Sequence, residues 1–282
     1  MPHASSPRFR LVALDLDGTL LSSDQTILPE TRQALLEVRA RGIDVVLVTG
    51  RQHIMARPYH VELGLDAPVV CCNGTYLYDF QRGEVLVSDP LGRDSALSLV
   101  EHGRRHGVDM VLYIDHMMTC ERFDARMSSL KAWADTVPPA LRPDLRLSEH
   151  GFEADIEAAQ NVWKMVVSHD DPQRIAQFVD EVAAILPISC EWSWRNRVDV
   201  TRAGNSKGKR LAELVSQRGI DPAQVIAFGD HLNDLSMLHF AGMGVAMGNA
   251  EQEVRDRADH VTASNDDNGI AKALRELVLG DS

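Results

Sequence analysis

The chain has few aromatic residues, no long apolar run and no recognisable leader. Phe, Trp and Tyr make up 5% of its 282 residues, so a large core has to be built mainly from aliphatic side chains. No segment approaches the roughly 20 consecutive apolar residues of a membrane-spanning helix, which argues against a membrane protein. The N-terminal sequence MPHASSPRFR lacks the apolar segment of a secretory signal, and we therefore expect a cytoplasmic location.

Cysteine is also scarce, and its distribution argues against both a disulfide framework and a zinc site. The four cysteines show no metal-ligand spacing, and two of them, Cys71 and Cys72, are adjacent. Reduced thiols in a cytosolic protein fit this pattern best. We expect Cys71 and Cys72 to pack as small apolar side chains.

Positive charge is in short supply. The sequence has 29 Lys and Arg against 41 Asp and Glu, a formal net charge of -12. Nucleic acid and anionic membrane surfaces both require a basic face, so neither is an expected partner. A small anionic substrate would need local positive charge. The sequence does not distinguish a monomer from a homodimer.

The chain is long enough for one large domain or two smaller ones. Both of its ends alternate apolar strands with helices, as in IDVVLVTGR and AQVIAFGD, which is typical of a parallel sheet covered on both faces. The middle differs, with strand-like GEVLVSD, MVLYID, NVWKMVVSH and CEWSWRNRVDV separated by helical segments and Pro-rich loops. We predict an α/β fold: a Rossmann-like core of residues 1–84 and 203–282, with an α+β domain of residues 85–202 inserted.

Polar residues follow the predicted strands at the points where they end. They are Asp15 and Asp17, then Thr49, Gly50 and Arg51, then Asn73, and finally Asp230 with Asn233 and Asp234. The carboxyl ends of parallel strands meet at one edge of a sheet, so four carboxylates should lie close together. Such a cluster favours a bound cation, and all-oxygen ligands favour Mg²⁺ over zinc.

These residue types suit phosphoryl transfer. Asp15 can act as a nucleophile, and Asp17, two residues on, points to the same side and can act as general acid. Gly18 allows a sharp turn, Thr49 can donate a hydrogen bond to a phosphoryl oxygen, and Lys207 offers a compact cation. Each residue also has an ordinary interpretation: Asp-x-Asp-Gly alone is most often a turn, and Lys207 near a helix start could be a solvated lysine.

The four segments DLDGTLL, VLVTGR, NSKGKRL and GDHLND occur in the order of the four signature motifs of the haloacid dehalogenase superfamily, which they resemble. The spacing from Asp15 to Thr49 leaves no room for a cap there, and the long insert before NSKGKRL resembles the cap domain of the Cof-type subfamily, subclass IIB. The stretches CCNGTYLYD, CEWSW and GNSKGKRL further resemble the bacterial pyridoxal phosphate phosphatases of that subfamily.

The resemblance implies a role for each motif residue. Asp15 is the nucleophile and a Mg²⁺ ligand, Asp17 is the acid and base and binds the metal through its carbonyl oxygen, Asp230 completes the ligand set, and Asp234 supports it. The implied phosphate-binding residues are Leu16 through its N–H, Thr49, Gly50, Lys207 and Asn233.

The implied activity is Mg²⁺-dependent hydrolysis of small phosphomonoesters through an aspartyl phosphate, with pyridoxal 5′-phosphate as the first expected substrate. The alternative is a broad-specificity sugar-phosphate phosphatase acting on hexose or tetrose phosphates or fructose 1,6-bisphosphate. A catalytically silent regulatory binding protein is less favoured, because every motif carboxylate and Lys207 are present.

Candidate substrate contacts are Arg51, Asn73, Trp192 and Trp194. The two tryptophans alternate on one predicted strand and could stack on a pyridine ring, although such a pair more often packs the domain's own core. For Arg51, an ion pair at the rim of the site is an equally good interpretation.

Overall fold

The computed structural model describes residues 8–280, so residues 1–7, on which the expectation about a leader partly rests, lie outside it. The first part of the chain forms β1 (Leu11–Leu14), α1 (Pro29–Ala40), β2 (Asp44–Leu47), α2 (His53–Glu62), β3 (Val69–Cys71), β4 (Tyr76–Asp79) and β5 (Glu84–Ser88). The middle forms α3 (Arg93–His106), β6 (Asp109–Ile114), β7 (Met117–Cys120), α4 (Ala125–Thr136), β8 (Asp144–Leu147), α5 (Phe152–Ala158), β9 (Val162–Ser168), α6 (Pro172–Ile185), β10 (Ile188–Trp194) and β11 (Arg197–Arg202). The last part forms α7 (Lys207–Gln217), β12 (Val225–Gly229), α8 (Leu235–Phe240), β13 (Met243–Ala246), α9 (Gln252–Asp256), β14 (His260–Val261) and α10 (Gly269–Leu274).

The core is a parallel sheet built from both ends of the chain. Its five strands lie in the order β14-β13-β12-β1-β2, and every pairing in it is parallel. A single bridge between Val48 and Val70 connects β2 to β3, after which β3, β4 and β5 form an antiparallel extension. The predicted α/β class with a parallel sheet is confirmed.

Strand β1 is buried on both faces because helices cover the sheet from both sides. Val12 and Leu14 belong to an apolar cluster with residues of α1 and α10. Leu11 and Ala13, which point the other way, pack with residues of α7 and α8. Full burial of a Val or Leu side chain stabilises the fold by about 1.5–3 kcal/mol, so this strand anchors the site at its carboxyl end.

The inserted domain has its own six-stranded sheet, in the order β10-β11-β9-β6-β7-β8, with β7 and β8 as the only parallel pair among its described strands. Helices α3, α5 and α6 cover one face with a separate apolar cluster. On the other face, Val111, Tyr113 and Val166 join the cluster of the core. The inserted sheet therefore forms a roof over the core, and alternate residues of each strand face either the helices or the core.

The structure suggests a later start for the insert than residue 85. That position lies within β5, whose pairing with β4 continues to Ser88. We propose that residues 89–92 and 203–206 are the two linkers. They lie side by side, because Nδ2 of Asn205 donates a hydrogen bond to the carbonyl oxygen of Asp89 at 2.8 Å.

None of the described helices has both the length and the apolar character that crossing a bilayer requires.

The close approach of the second linker to the turn after β3 can be tested at glycine. Gly74 has φ +87°, and a Cβ there would overlap the carbonyl oxygen of Ser206, whereas Gly83 has φ +69° with open space around it. We predict that Gly74→Ala lowers the free energy of unfolding by about 3 kcal/mol or more, and Gly83→Ala by about 1 kcal/mol. Urea unfolding of both variants measures this. Equal losses would contradict the packing of this turn.

Candidate active site

The centre of the site is a buried ammonium group held between two carboxylates. Lys207 begins α7, where the Ser206 side chain accepts a hydrogen bond from the N–H of Lys209 and fixes the helix start. Its Nζ lies 2.7 Å from Oδ1 of Asp15 and 2.6 Å from Oδ1 of Asp234. All three side chains of this cluster are buried. The structure therefore places Lys207 inside the site and not in solvent.

Negative charge exceeds positive charge in this cluster. Burial disfavours the Lys207 ammonium, but Asp15 and Asp234 outweigh it and raise its pKa, so the lysine stays protonated. Burial also raises the pKa of Asp15, against the attraction of Lys207. For Asp230, burial and the neighbouring Asp234 raise the pKa to about 7.

The excess carboxylates form a candidate cation site. Asp15, Asp230 and Asp234 each offer an oxygen, and these atoms lie within 4.8 Å of one another. A purely oxygen donor set with net negative charge suits a hard divalent cation such as Mg²⁺. The Asp17 carboxylate is outside this group.

Hydrogen bonds from two turns fix the positions of the Asp234 and Asp230 carboxylates. Oδ2 of Asp234 accepts hydrogen bonds from the N–H groups of Asp230 and His231, each at 3.0 Å. The Thr19 hydroxyl donates to Oδ1 of Asp230 at 2.8 Å. Gly18, with φ +76°, passes so close to Asp230 that a Cβ would overlap its carboxylate. The glycine of the first motif therefore allows the β1 and β12 loops to meet.

The Asp17 carboxylate is turned toward Arg51 at the mouth of the site. Nε of Arg51 donates to Oδ2 of Asp17 at 2.7 Å, and 54% of the Asp17 side chain is exposed. The guanidinium lies 5.4 Å from the ring centre of Tyr59 in the core and 5.6 Å from that of Trp133 in the insert. Desolvation raises the pKa of Asp17 and Arg51 lowers it, with a net downward shift. Asp17 is thus an anion here, and Arg51 forms the rim ion pair that the sequence left open.

Hydrogen-bond donors are available at the same edge of the sheet. The Thr49 hydroxyl accepts a hydrogen bond from the N–H of Arg51 at 3.0 Å and donates its own proton to none of the residues that the structure describes. The N–H groups of Leu16 and Gly50 donate to no described residue. Nδ2 of Asn233 donates to Oδ1 of Asn73 at 3.1 Å. Thr49, Leu16 and Gly50 can therefore donate to a phosphoryl group, while the Asn233 amide is engaged with Asn73.

A second buried ion pair holds the insert over the core. Asn73, in the left-handed conformation with φ 55°, donates through Nδ2 to Oδ2 of Asp199 on β11 at 3.3 Å. Asp199 pairs with Lys164 on β9, whose Nζ also donates to the carbonyl oxygen of Gly50 at 2.7 Å. Asn73 is therefore a bridge between domains in this structure. The sequence analysis missed Lys164 and Asp199, although a charged residue within an apolar strand is a signal for such a site.

The structure does not bring Trp192 to the site. In the β10–β11 register Trp192 lies opposite Val198, and both belong to the apolar cluster beneath the helices of the insert. Trp194 is 64% exposed at the end of the hairpin. The alternative role, packing of the insert's own core, applies to Trp192. Because side chains alternate along a strand, the residue that shares the site-facing side with Asp199 is Glu191.

The haloacid dehalogenase-like hydrolase family matches residues 12–274. The chain belongs to this family, as the four motifs indicated, and is a phosphatase within it. It is 42% identical to the pyridoxal phosphate phosphatase YbhA of Escherichia coli (strain K12) over 265 residues, which cover 94% of this chain and 97% of that protein. It is 31% identical to the 5-amino-6-(5-phospho-D-ribitylamino)uracil phosphatase YcsE of Bacillus subtilis (strain 168), with 96% of each chain covered. Among solved structures, a haloacid dehalogenase-like hydrolase from Bacteroides thetaiotaomicron has a TM-score of 0.83 at 28% identity, covering 95% of this chain and 99% of that one.

The ion pair between the insert and the core can be tested with a double-mutant cycle. Lys164→Met leaves the buried Asp199 carboxylate without its cation, and we predict a loss of about 3 kcal/mol or more in the free energy of unfolding. The double variant Lys164→Met/Asp199→Asn should recover part of that loss, because no buried charge then lacks a partner. Chemical denaturation measures the two single variants, Lys164→Met and Asp199→Asn, and the double variant. Arg257→Met, which breaks an exposed pair with Glu253, is the control and should change nothing measurable. A double variant less stable than Lys164→Met would contradict this account.

Proposed function

We propose that the protein is a Mg²⁺-dependent phosphatase that hydrolyses small phosphomonoesters through an aspartyl phosphate on Asp15. Its preferred substrate is pyridoxal 5′-phosphate. The observation that carries this proposal is the buried Asp15, held 2.7 Å from Lys207 beside two further carboxylates. An oriented carboxylate with an adjacent fixed cation is what nucleophilic attack on a phosphate ester requires.

In the first half-reaction, a carboxylate oxygen of Asp15 forms a bond to phosphorus while the bond from phosphorus to the ester oxygen breaks. Thr49 and the N–H groups of Leu16 and Gly50 donate to the phosphoryl oxygens, and Lys207 opposes their charge. Bound Mg²⁺, held by Asp15, Asp230 and the Asp17 carbonyl with support from Asp234, would supply further charge neutralisation.

Asp17 moves the proton in both half-reactions. As general acid it protonates the departing ester oxygen, which requires that Arg51 release the carboxylate and that Asp17 take up a proton first. As general base it then takes a proton from the water that attacks phosphorus. Inorganic phosphate leaves and the Asp15 carboxylate is restored. We propose that the alcohol portion of the substrate, on entering the site, displaces Arg51 from Asp17.

There are two alternatives to a phosphatase that prefers pyridoxal 5′-phosphate. The 42% identical E. coli relative supports the pyridoxal ester. A broad sugar-phosphate phosphatase is the alternative, favoured by the polar roof formed by Lys164, Asp199 and Glu191. A silent binding protein is disfavoured, because the Asp15–Lys207–Asp234 cluster is complete. A cytoplasmic location and a monomeric or homodimeric state remain predictions.

A panel of phosphate esters tests the function. We predict phosphate release from p-nitrophenyl phosphate, and a higher kcat/KM for pyridoxal 5′-phosphate than for erythrose 4-phosphate or fructose 1,6-bisphosphate. Asp15→Asn keeps the shape of the side chain but removes the nucleophile, so release should fall by more than about 10³-fold. The exposed Asp170→Asn is the matched control and should retain full activity. No release from folded wild-type protein would contradict the enzyme assignment, and a sugar phosphate with the highest kcat/KM would contradict the pyridoxal preference.

Metal binding can be measured without turnover. We predict that saturating MgCl₂ raises the Tm of the wild-type protein by about 5 °C or more relative to EDTA, since the cation binds only the folded state. Asp230→Asn should abolish this rise without lowering the Tm in EDTA, because it removes a half-buried charge that lacks a cation of its own. Asp170→Asn again serves as control and should respond like the wild type. An unchanged Mg²⁺ response in Asp230→Asn would exclude Asp230 as a ligand.

A further inference from the structure

One carboxyl group in the roof of the site has no partner. Glu191 lies on β10, and its Oε2 is shielded from solvent without a hydrogen bond to any residue that the structure describes. Burial removes the hydration of a carboxyl group, and the cost is recovered only when a donor reaches it. Glu191 is therefore poised to accept a hydrogen bond from a molecule that enters the site.

The strand register directs Glu191 toward the core. It pairs with Asp199, and directly opposite residues of an antiparallel pair share one face of the sheet. Asp199 on that face contacts Asn73 of the core. Strand β10 also lies against the Leu232–Asp234 turn, which carries the last motif. The carboxyl group thus faces the space between the roof and the phosphate-binding edge.

Charged groups of both the roof and the core act on Glu191. Burial and the nearby Asp199 raise the pKa of Glu191 to about 7, while Lys207 and Lys164 act in the opposite direction. Both lysines are already engaged, Lys164 with Asp199 and Lys207 with Asp234 and the nucleophile. Neither of these two lysines is therefore free to pair with Glu191.

We propose that Glu191 is a specificity-determining residue that accepts a hydrogen bond from the leaving group of the substrate, through a hydroxyl group or a protonated ring nitrogen. The phosphoryl group is not its partner, because a carboxylate repels phosphoryl oxygens and Thr49 and Lys207 already provide for them. This inference rests on the proposed phosphatase function. We expect Glu191 to favour phosphate esters whose alcohol portion carries a hydrogen-bond donor.

The test compares esters with and without such a donor. Steady-state kcat/KM is measured for pyridoxal 5′-phosphate, erythrose 4-phosphate and p-nitrophenyl phosphate, whose nitrophenyl group has no donor. The proteins are wild type, Glu191→Ala and the isosteric Glu191→Gln, which keeps one acceptor oxygen and guards against misfolding. Trp192→Phe, on the opposite face of the same strand, is the matched control. Competitive inhibition by free pyridoxal reports leaving-group binding separately from chemistry.

We expect Glu191→Ala to lower kcat/KM for the better of the two donor-bearing esters about 10- to 100-fold more than for p-nitrophenyl phosphate. Glu191→Gln should show a smaller loss in the same direction, and the Ki of pyridoxal should rise in Glu191→Ala if pyridoxal 5′-phosphate is the better ester. Trp192→Phe should leave the ratio between esters unchanged.

Equal losses on all esters in Glu191→Ala and Glu191→Gln, or no loss, would overturn the inference while leaving the phosphatase function in place. A wild-type protein that hydrolyses p-nitrophenyl phosphate but neither metabolite would overturn it as well. A folded wild-type protein that hydrolyses none of the three esters would overturn the proposed function, and the inference with it.

Discussion

The arrangement of carboxylates in the site depends on one buried ammonium group, that of Lys207. Lys207 lies between Asp15 and Asp234, and without it two carboxylates would be buried beside each other with no cation within the protein. Breaking such a pair from one side costs far more than an exposed ion pair contributes. The interaction also joins segments 192 residues apart in the sequence. It thus adds to the parallel pairing of β1 with β12, through which the two ends of the chain form one sheet although a whole domain is inserted between them.

A second lysine has the corresponding role in the roof. Lys164 pairs with Asp199 inside the inserted domain and donates to the Gly50 carbonyl of the core, so the roof is aligned directly on the turn that we propose binds phosphate. Arg51, between Tyr59 and Trp133, closes the mouth from the side. Lys164 and Arg51 thus contact both domains, and Lys207 holds Asp15 within the core, although the chain as a whole is strongly acidic. The positive charge is local, as a small anionic substrate requires.

The floor of the site was predictable from the sequence, whereas the roof offered only one signal, a charged residue within an apolar strand. Asp15, Thr49 and Asp230 follow strands of a parallel sheet, and such strands bring their carboxyl ends to one edge whatever the details of packing. In the antiparallel roof, a shift of one residue in register moves every side chain to the other face, and no local pattern in CEWSW reveals which face is which.

Elements of the insert without a clear pattern were also missed. The sequence analysis identified no helix over Ala125–Thr136, where apolar residues do not follow one face and the start is fixed by the Asp124 side chain capping the N–H of Met127. Strand β5 lies at the predicted boundary between core and insert, and its partner is β4 of the core. Pairing between strands depends on tertiary contacts that propensity does not contain.

The central claim is that Asp15, held by Lys207, becomes covalently phosphorylated. The most direct measurement is acid quenching of the wild-type protein during turnover of pyridoxal 5′-phosphate or p-nitrophenyl phosphate, followed by proteolysis and mass spectrometry. The account predicts a phosphoryl group on the peptide that contains Asp15, removed by hydroxylamine as an acyl phosphate should be. A phosphoryl group on a different peptide, or rapid turnover with none on any peptide, would contradict it.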